Sequence, residues 1–551
     1  MSDAANTGAA PKKKMNLYWI HIAIGVVVMV LFCFVLPAPD PITPLGMKVV
    51  GIFLAMVYWW SSIEALWPSV LGLALLGLSG IGDAVLGANF AGTMANGSIP
   101  LMGAVLEDGT VIEGLRSQAI AQNLAGSNGV WMTAVGNYTV LLTLFAMILF
   151  GAVDEVGDTM YIAKWFLTRK IFAGRPFVFW AIFYIACFVL STIVSPITGL
   201  IIMWPVALRL VEIMGITKED RVWKFFFVGM FLVMTLGQPF WPFMGAQLIP
   251  ISAFSTMTAT MAEAGTLPAA LAIPWVPYMI VNAVMTAFIM AIYLLAMRFV
   301  LRVDVSKMKS VNPQMVEETL PLPPMDLRQK AFLFMIPVYL ICLLLPDFVS
   351  GNPVSDTLKY LGPLGITAFF VAAFLIARWE GKSMLDFREV SYKQFNWGIF
   401  FMIAAAVYAA GLLSSPVTGV SSFLVQVLTP ILGGQPEMVF VALMLLVALI
   451  ITNFANNAAM AVVLLPVVIQ FSNQIGISPV PVAMGVILMV FVAMLTPAAS
   501  PHAGMMHGNK NIYKTSDILA IGFPMCIVAW LSYTFVGYPL AKMLCAAFGV
   551  I

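Results

Sequence analysis

Long apolar runs separated by short polar punctuation fill the chain from residue 17 to residue 541. They fall at 17–36, 44–63, 65–81, 133–152, 177–210, 223–258, 275–300, 331–346, 360–377, 395–413, 438–471, 480–508 and 518–541. Runs of this length predict helices, because a segment surrounded by hydrocarbon must satisfy its backbone N–H and C=O groups internally. Most are one span long. Two of them, 177–210 and 438–471, are too long for one span, and each is broken near its middle, by SPITG (195–199) and by FANNAA (454–459). Each half then reaches only about half-way through a bilayer, which predicts a re-entrant helical hairpin rather than a crossing.

Composition fixes the class. With 61% apolar and only 9% charged residues among 551, the chain lies outside the range of soluble domains and reads as an all-α polytopic membrane protein. At ~20 residues per span it has room for about eleven spans plus the two hairpins. The net charge of +2 says little about partners. Cys33, Cys187, Cys342, Cys526 and Cys545 stand singly in apolar runs and give neither a disulfide framework nor a metal spacing. The run 17–36 is longer than a signal-peptide core, so it is expected to remain as a first span behind a cytoplasmic tail, 1–16.

Charge tests the hairpins, because a hairpin returns the chain to the side it entered. With the Lys-rich N-terminus inside and both hairpins re-entrant, only Lys48, Arg116, Lys359 and Lys542 fall outside. Treating the first hairpin as one span would put the basic cluster of 298–330 outside. The chain also repeats itself. STIVSPITGLIIMWP (191–205) and TNFANNAAMAVVLLP (452–466) share a polar start, a polar tip and a Pro ten residues after the first tip residue. Each is followed by a Pro-broken span, marked by GQPFWP (237–242) and by TPAASPH (496–502). The expected organisation is a first repeat, 37–302, with hairpin 177–210 and broken helix 223–258. A charged, Pro-rich cytoplasmic linker, 303–328, leads to a second repeat, 329–551, with hairpin 438–471 and broken helix 480–508. The second repeat is inverted relative to the first. A less apolar external insertion, 83–130, carries Glu107, Asp108 and Glu113.

A helix interrupted in mid-membrane exposes amide N–H groups at one new end and carbonyls at the other. In lipid each costs roughly 2–7 kcal/mol unless it is packed or binds something. N-termini favour anions and carbonyls favour small cations. Asn456 and Asn457 suit both tasks, since an amide offers a donor to a carboxylate and an acceptor to Na+. Charged residues are nearly absent from the middle of the inferred spans, which favours an anionic or neutral solute held by dipoles. Plainer readings stand beside these. Asn and Thr also serve as interhelical glue, including Asn137 and Thr139; Pro196, Pro239 and Pro501 also make kinks; His502 also bonds a freed carbonyl; Trp204 and Trp241 also simply pack.

On these residues the chain resembles the divalent-anion:sodium symporter (DASS) family of the ion-transporter superfamily, as a divergent member. The resemblance runs from IEALWPSVLGLALLGLSGI (63–81) through both hairpins to MLTPAASPHAGMMHGNKNIYKTSDILAIG (494–522), which is similar to the family's TPPN segment and following helix. It implies a homodimer with scaffold and mobile transport domains, elevator-type alternating access, and Na+-coupled uptake or exchange of small carboxylates or sulfate. The family's hairpin tips read Ser-Asn-Thr; here they read Ser195-Pro196-Ile197 and Asn456-Asn457-Ala458. The resemblance implies a first sodium site on Ser191 and Ser195, with Pro196 in place of the central Asn. It implies a second on Thr452 and Asn457 with backbone carbonyls near Ala499 and Ser500. By the same resemblance the substrate meets Ser195, Pro196 and Thr198 at one tip and Asn456, Asn457 and Ala458 at the other. Gln238 stands where the first TPPN has its Thr, and His502, after Ser500, where the second has its second Pro. The altered tips imply a substrate other than a plain four-carbon dicarboxylate, such as a monoanion or sulfonate with an apolar part near Trp204, Phe240 and Trp241.

The expected function is secondary active transport of a small organic anion, with Na+ as coupling ion, in the inner membrane of a bacterium, N-terminus cytoplasmic and C-terminus outside. Alternatives are a sodium-independent anion exchanger and a cation/proton antiporter of the same superfamily. The antiporter calls for an intramembrane carboxylate at the break, which the inferred spans lack. No enzyme activity is expected, because His21, His502 and His507 form no acid–base cluster with carboxylates in the spans. The expected partners are the solute and the bilayer, with no nucleic acid.

Overall fold

The computed structural model describes residues 13–79 and 129–550, apart from positions 194, 311, 320, 350, 455 and 498. The insertion expected at 83–130 therefore lies, up to residue 128, outside the described residues. Among the described residues, helices and turns make up the chain except for a two-stranded ribbon, Arg378–Trp379 with Lys382–Ser383. Among the described residues, eleven helices are long and apolar enough to cross a membrane. Three of these, Pro176–Ile193, Pro196–Ile213 and Asn457–Gln474, belong to the two segments expected to be hairpins.

Both segments do turn back on themselves. In the first, Pro176–Ile193 is followed directly by Pro196–Ile213, and a Cβ placed on Gly199 would lie 3.9 Å from that of Leu190. In the second, Glu437–Thr452 is followed by Asn457–Gln474. Phe440 and Phe471, equidistant in sequence from the tip, bring their rings within 6.4 Å. The arms have 16 or 18 residues, so they rise about 24–27 Å along their axes. That is longer than the half-bilayer reach read from the sequence, since such an arm stops half-way only if it is tilted.

The breaks in the two later helices match in length as well as in place. Arg221–Gly237 gives way to Leu248–Glu263 across residues 238–247, and Pro479–Val490 to Pro501–Gly508 across 491–500. Every residue of Pro479–Val490 is buried, as is nearly all of Arg221–Gly237, which is what a helix apolar on all sides requires. The halves interlock here. Leu248–Glu263 from the first half packs against Trp397–Ser414 and Asn457–Gln474 of the second, and Pro501–Gly508 touches Pro196–Ile213 of the first.

Two helices escape a hydropathy reading because they are short or two-faced. Asp158–Leu167 precedes the first hairpin, and Val420–Leu432 meets Glu437–Thr452 at 116°. The linker is docked: Pro313–Thr319 packs on Pro196–Ile213 and Asp158–Leu167, and Tyr161 Oη donates to Pro323 O at 2.9 Å.

Candidate functional site

Serine followed by proline starts three of the central helices. Ser195-Pro196, Ser478-Pro479 and Ser500-Pro501 each place the serine at the N-cap and the proline at the first helical position. The serine oxygen satisfies one orphan amide and proline has none to lose. Ser195 Oγ accepts from Thr198 N at 3.1 Å and lies 3.1 Å from Thr198 Oγ1. Pro196 is thus a helix start, and it brings no N–H group to the tip. Among the described residues, the Ile197 N–H is the donor left in that first turn. Asn456 caps the other hairpin arm, accepting from Ala459 N at 3.2 Å, while its own N–H donates to Ser61 Oγ at 3.0 Å.

The first tip faces a cavity of about 340 Å³, within the range of about 300–1,000 Å³ that holds small ligands. Ser191, Ser195, Pro196, Thr198 and Gln238 all line it, together with Asp154, Gln247, Lys393 and Asn396. Gln238 Oε1 and Gln247 Oε1 are buried there without a hydrogen-bond partner. Gln247 is 2% exposed and donates its amide to Trp241 O at 2.8 Å. Two of these residues escape the sequence reading. Gln247 carries no motif, and Asp154 lies two residues beyond the apolar run 133–152.

Ser191 reaches the cavity because Gly237 makes room. A Cβ on Gly237 would stand 2.4 Å from Ser191 Oγ and 2.9 Å from the Phe188 ring. Gly237→Ala is therefore expected to cost about 1–3 kcal/mol of stability through overpacking, read as a lower thermal midpoint of the ligand-free protein. An unchanged midpoint would mean that the hairpin and the break are not in this close contact.

The second group is built around the other break and does not line that cavity. Asn453, 3% exposed, bridges hairpin and break: its Oδ1 accepts from Met494 N at 3.1 Å and Leu495 N at 2.9 Å, and its Nδ2 donates to Leu449 O at 2.8 Å. Its own carbonyl accepts from Thr496 Oγ1. This amide is structural glue. Asn457 is different. It sits at the start of its helix, its Oδ1 is 3.2 Å from Thr452 Oγ1, and its Nδ2 has no partner among the described residues. The single Thr452 hydroxyl proton serves either Asn457 Oδ1 or Val490 O. When it goes to Val490, two acceptor oxygens face each other in a buried place, an arrangement that a small cation relieves.

The remaining expectations fall into place around this group. Ser500 Oγ caps Ala503 N at 3.1 Å and donates to Ala493 O at 3.3 Å; Ala458 and Ala499 are buried. His502 packs on Phe231 with ring centroids 5.4 Å apart and planes tilted by 34°, and among the described residues its buried Nε2 has no partner. The freed carbonyl that His502 was a candidate to bond is met instead by His507, whose Nε2 lies 3.1 Å from Met494 O. His502 thus rests on Arg221–Gly237, the helix that leads to Gln238. Trp204 bonds Tyr513 Oη at 2.9 Å and takes the plainer, packing role, whereas Asn137 caps its own helix, accepting from Thr139 N at 2.9 Å, instead of bonding a neighbouring helix.

A family model described as "Sodium:sulfate symporter transmembrane region" matches residues 16–546. Among curated proteins, the chain is 29% identical over 158 residues to the uncharacterized transporter YfbS of Escherichia coli, a stretch covering 29% of this chain and 25% of that one. An uncharacterized transporter of Haemophilus influenzae is 22% identical over 143 residues, covering 26% of this chain and 30% of that one. An uncharacterized transporter of Methanocaldococcus jannaschii is 22% identical over 138 residues, with 25% and 31% covered. The matched stretch therefore spans less than a third of the length of each of these relatives.

Proposed function

The chain belongs to the sodium:sulfate symporter family, and from that premise we propose that it is a secondary active transporter of small organic anions, carboxylates or sulfonates, coupled to Na+ symport. The reading is carried by one meeting of parts. A capped helix start, Ser195 to Thr198, and the unpaired Gln238 amide oxygen line one cavity. The N-terminal dipole and the free Ile197 N–H favour an anion. The Gln238 side chain adds a donor and an acceptor that orient it.

Sodium fits the second group. Thr452 Oγ1, Asn457 Oδ1 and the backbone carbonyls near Ala499 and Ser500 are neutral hard oxygens, and Na+ held there would join the second hairpin to its break. In this reading the hairpins are re-entrant and inverted. The protein is a homodimer of scaffold and transport domains working by an elevator movement in a bacterial inner membrane, N-terminus inside and C-terminus outside. A second reading, a sodium-independent exchanger, draws on Pro196 and Ile197, which leave the first cation site with few ligands.

A thermal-shift panel of carboxylates, sulfonates and sulfate, run in Na+ and again in choline, tests the proposal. At a hundredfold excess over Kd the right anion adds about 2.7 kcal/mol of apparent stability, and the gain is expected to need Na+. Equal gains in choline favour the exchanger. Uptake in which succinate outcompetes every monoanion would count against the apolar monoanion or sulfonate as cargo.

A further inference from the structure

The cavity at the first hairpin tip contains a carboxylate that its role as an anion site leaves unexplained. Asp154 shares the wall with Ser195, Thr198, Gln238 and Gln247. Among the described residues no ion pair or side-chain hydrogen bond engages it. It sits in the last turn of Tyr138–Glu155, where the helix dipole is unfavourable to a negative charge. The cation on the same wall, Lys393, is already shared by Glu389 at 2.5 Å and Glu155 at 3.8 Å.

We propose that Asp154 is a proton-binding site coupled to occupancy of this cavity, so that the anion enters together with one H+. The step is a simple protonation: as the anion binds, the carboxylate takes a proton from water and becomes the neutral acid, and on release of the anion it returns that proton. Two observations drive it. An anion and an ionised Asp154 in one small cavity repel each other in a medium of low dielectric, so each favours loss of the other's charge. The wall also holds two acceptors without donors, Gln238 Oε1 and Gln247 Oε1, and a protonated carboxyl brings the kind of O–H group they lack. The inference rests on the reading of this cavity as the anion site.

The other charged or titratable groups on the elements packed around Asp154 are Tyr138 and Glu155 on its own helix, Glu389, Arg388, Tyr392 and Lys393 on Phe387–Lys393 with Asp386 at its cap, and Asp158, Tyr161 and Lys164 on the helix that follows. Leu327–Phe348 contributes Arg328, Lys330, Tyr339 and Cys342 with Asp326 at its cap, and farther along the packed helices lie Tyr408, Glu263, Asp356, Lys359 and Tyr360. Asp158 needs its own control. It is buried with both carboxylate oxygens unpartnered. That burial pushes its carboxyl up to about 7, with Asp326 adding to the rise and Arg328 opposing it.

The test measures binding of sulfate, methanesulfonate and lactate to purified wild type, D154N, D154E and D158N at about pH 5.5 and about pH 8, where these probes keep their charge. Wild type, D154E and D158N are expected to bind on the order of tenfold more tightly at the lower pH. D154N is expected to bind equally at both, near the acid-side affinity of wild type. The inference is overturned, with the anion reading intact, if D154N keeps the wild-type pH dependence, if D158N rather than D154N removes it, or if D154N alters only the Na+ dependence. If none of the probes binds any of the proteins at either pH, the anion reading falls and this inference with it.

Discussion

Asn457→Ala abolishes transport while the protein still folds and assembles: uptake into proteoliposomes of the anion found by thermal shift is expected to fall at least about a hundredfold, the scale of losing a buried polar ligand contact. The residue is 7% exposed, and among the described residues its side chain's one hydrogen bond is with Thr452 Oγ1 at 3.2 Å. Removing it costs the fold about 1 kcal/mol, partly offset because Ala is the better helix former. In the proposed reading, what disappears is the amide oxygen that would hold a cation with Thr452 and the amide N–H group that would meet a solute. Expression level and size-exclusion profile check the fold. Uptake at normal affinity in the variant would remove Asn457 from the site.

The neighbouring amide gives the opposite result. Asn453→Ala is expected to cost about 2–6 kcal/mol, because the N–H groups of Met494 and Leu495 lose their shared acceptor inside the protein and each orphaned donor costs about 1–3 kcal/mol. That is a large part of the stability of a folded chain, so low yield and a much lower thermal midpoint are the expected readouts. Asn453→Asp keeps the acceptor and is expected to lose less. A variant with Ala as stable as wild type would show that the break holds its shape without this bridge.

These two asparagines mark the limit of what the sequence reveals. FANNAA announces a polar interruption in an apolar run, and so places the tip and its pairing with TPAASPH. It does not say which amide bonds the neighbouring break and which bonds its own hairpin, because that depends on the rotation of Glu437–Thr452 against residues 491–500. The broken helices were legible from Ser-Pro and Gly-Gln-Pro in apolar surroundings, since a helix start needs a cap and tolerates proline. Asp154 was not. It lies just past the end of its apolar run, and only packing beside the first tip turns a span-end residue into a cavity wall. Gln247 and His507 were missed for the same reason: a single polar residue carries no period, and its partner is a backbone atom elsewhere in the chain. Asp158–Leu167 and Val420–Leu432 were missed because hydropathy averages erase a helix with one apolar face.

The interlock of the halves has a consequence for how the protein is made. Leu248–Glu263 is synthesised with the first half, yet the surfaces that cover it, Trp397–Ser414 and Asn457–Gln474, leave the ribosome much later. Until then this helix has no native neighbour on that side, so a nascent chain halted at the linker is a substrate for quality control rather than a finished module. The two halves, each supplying surfaces that cover the other, mature only as a pair.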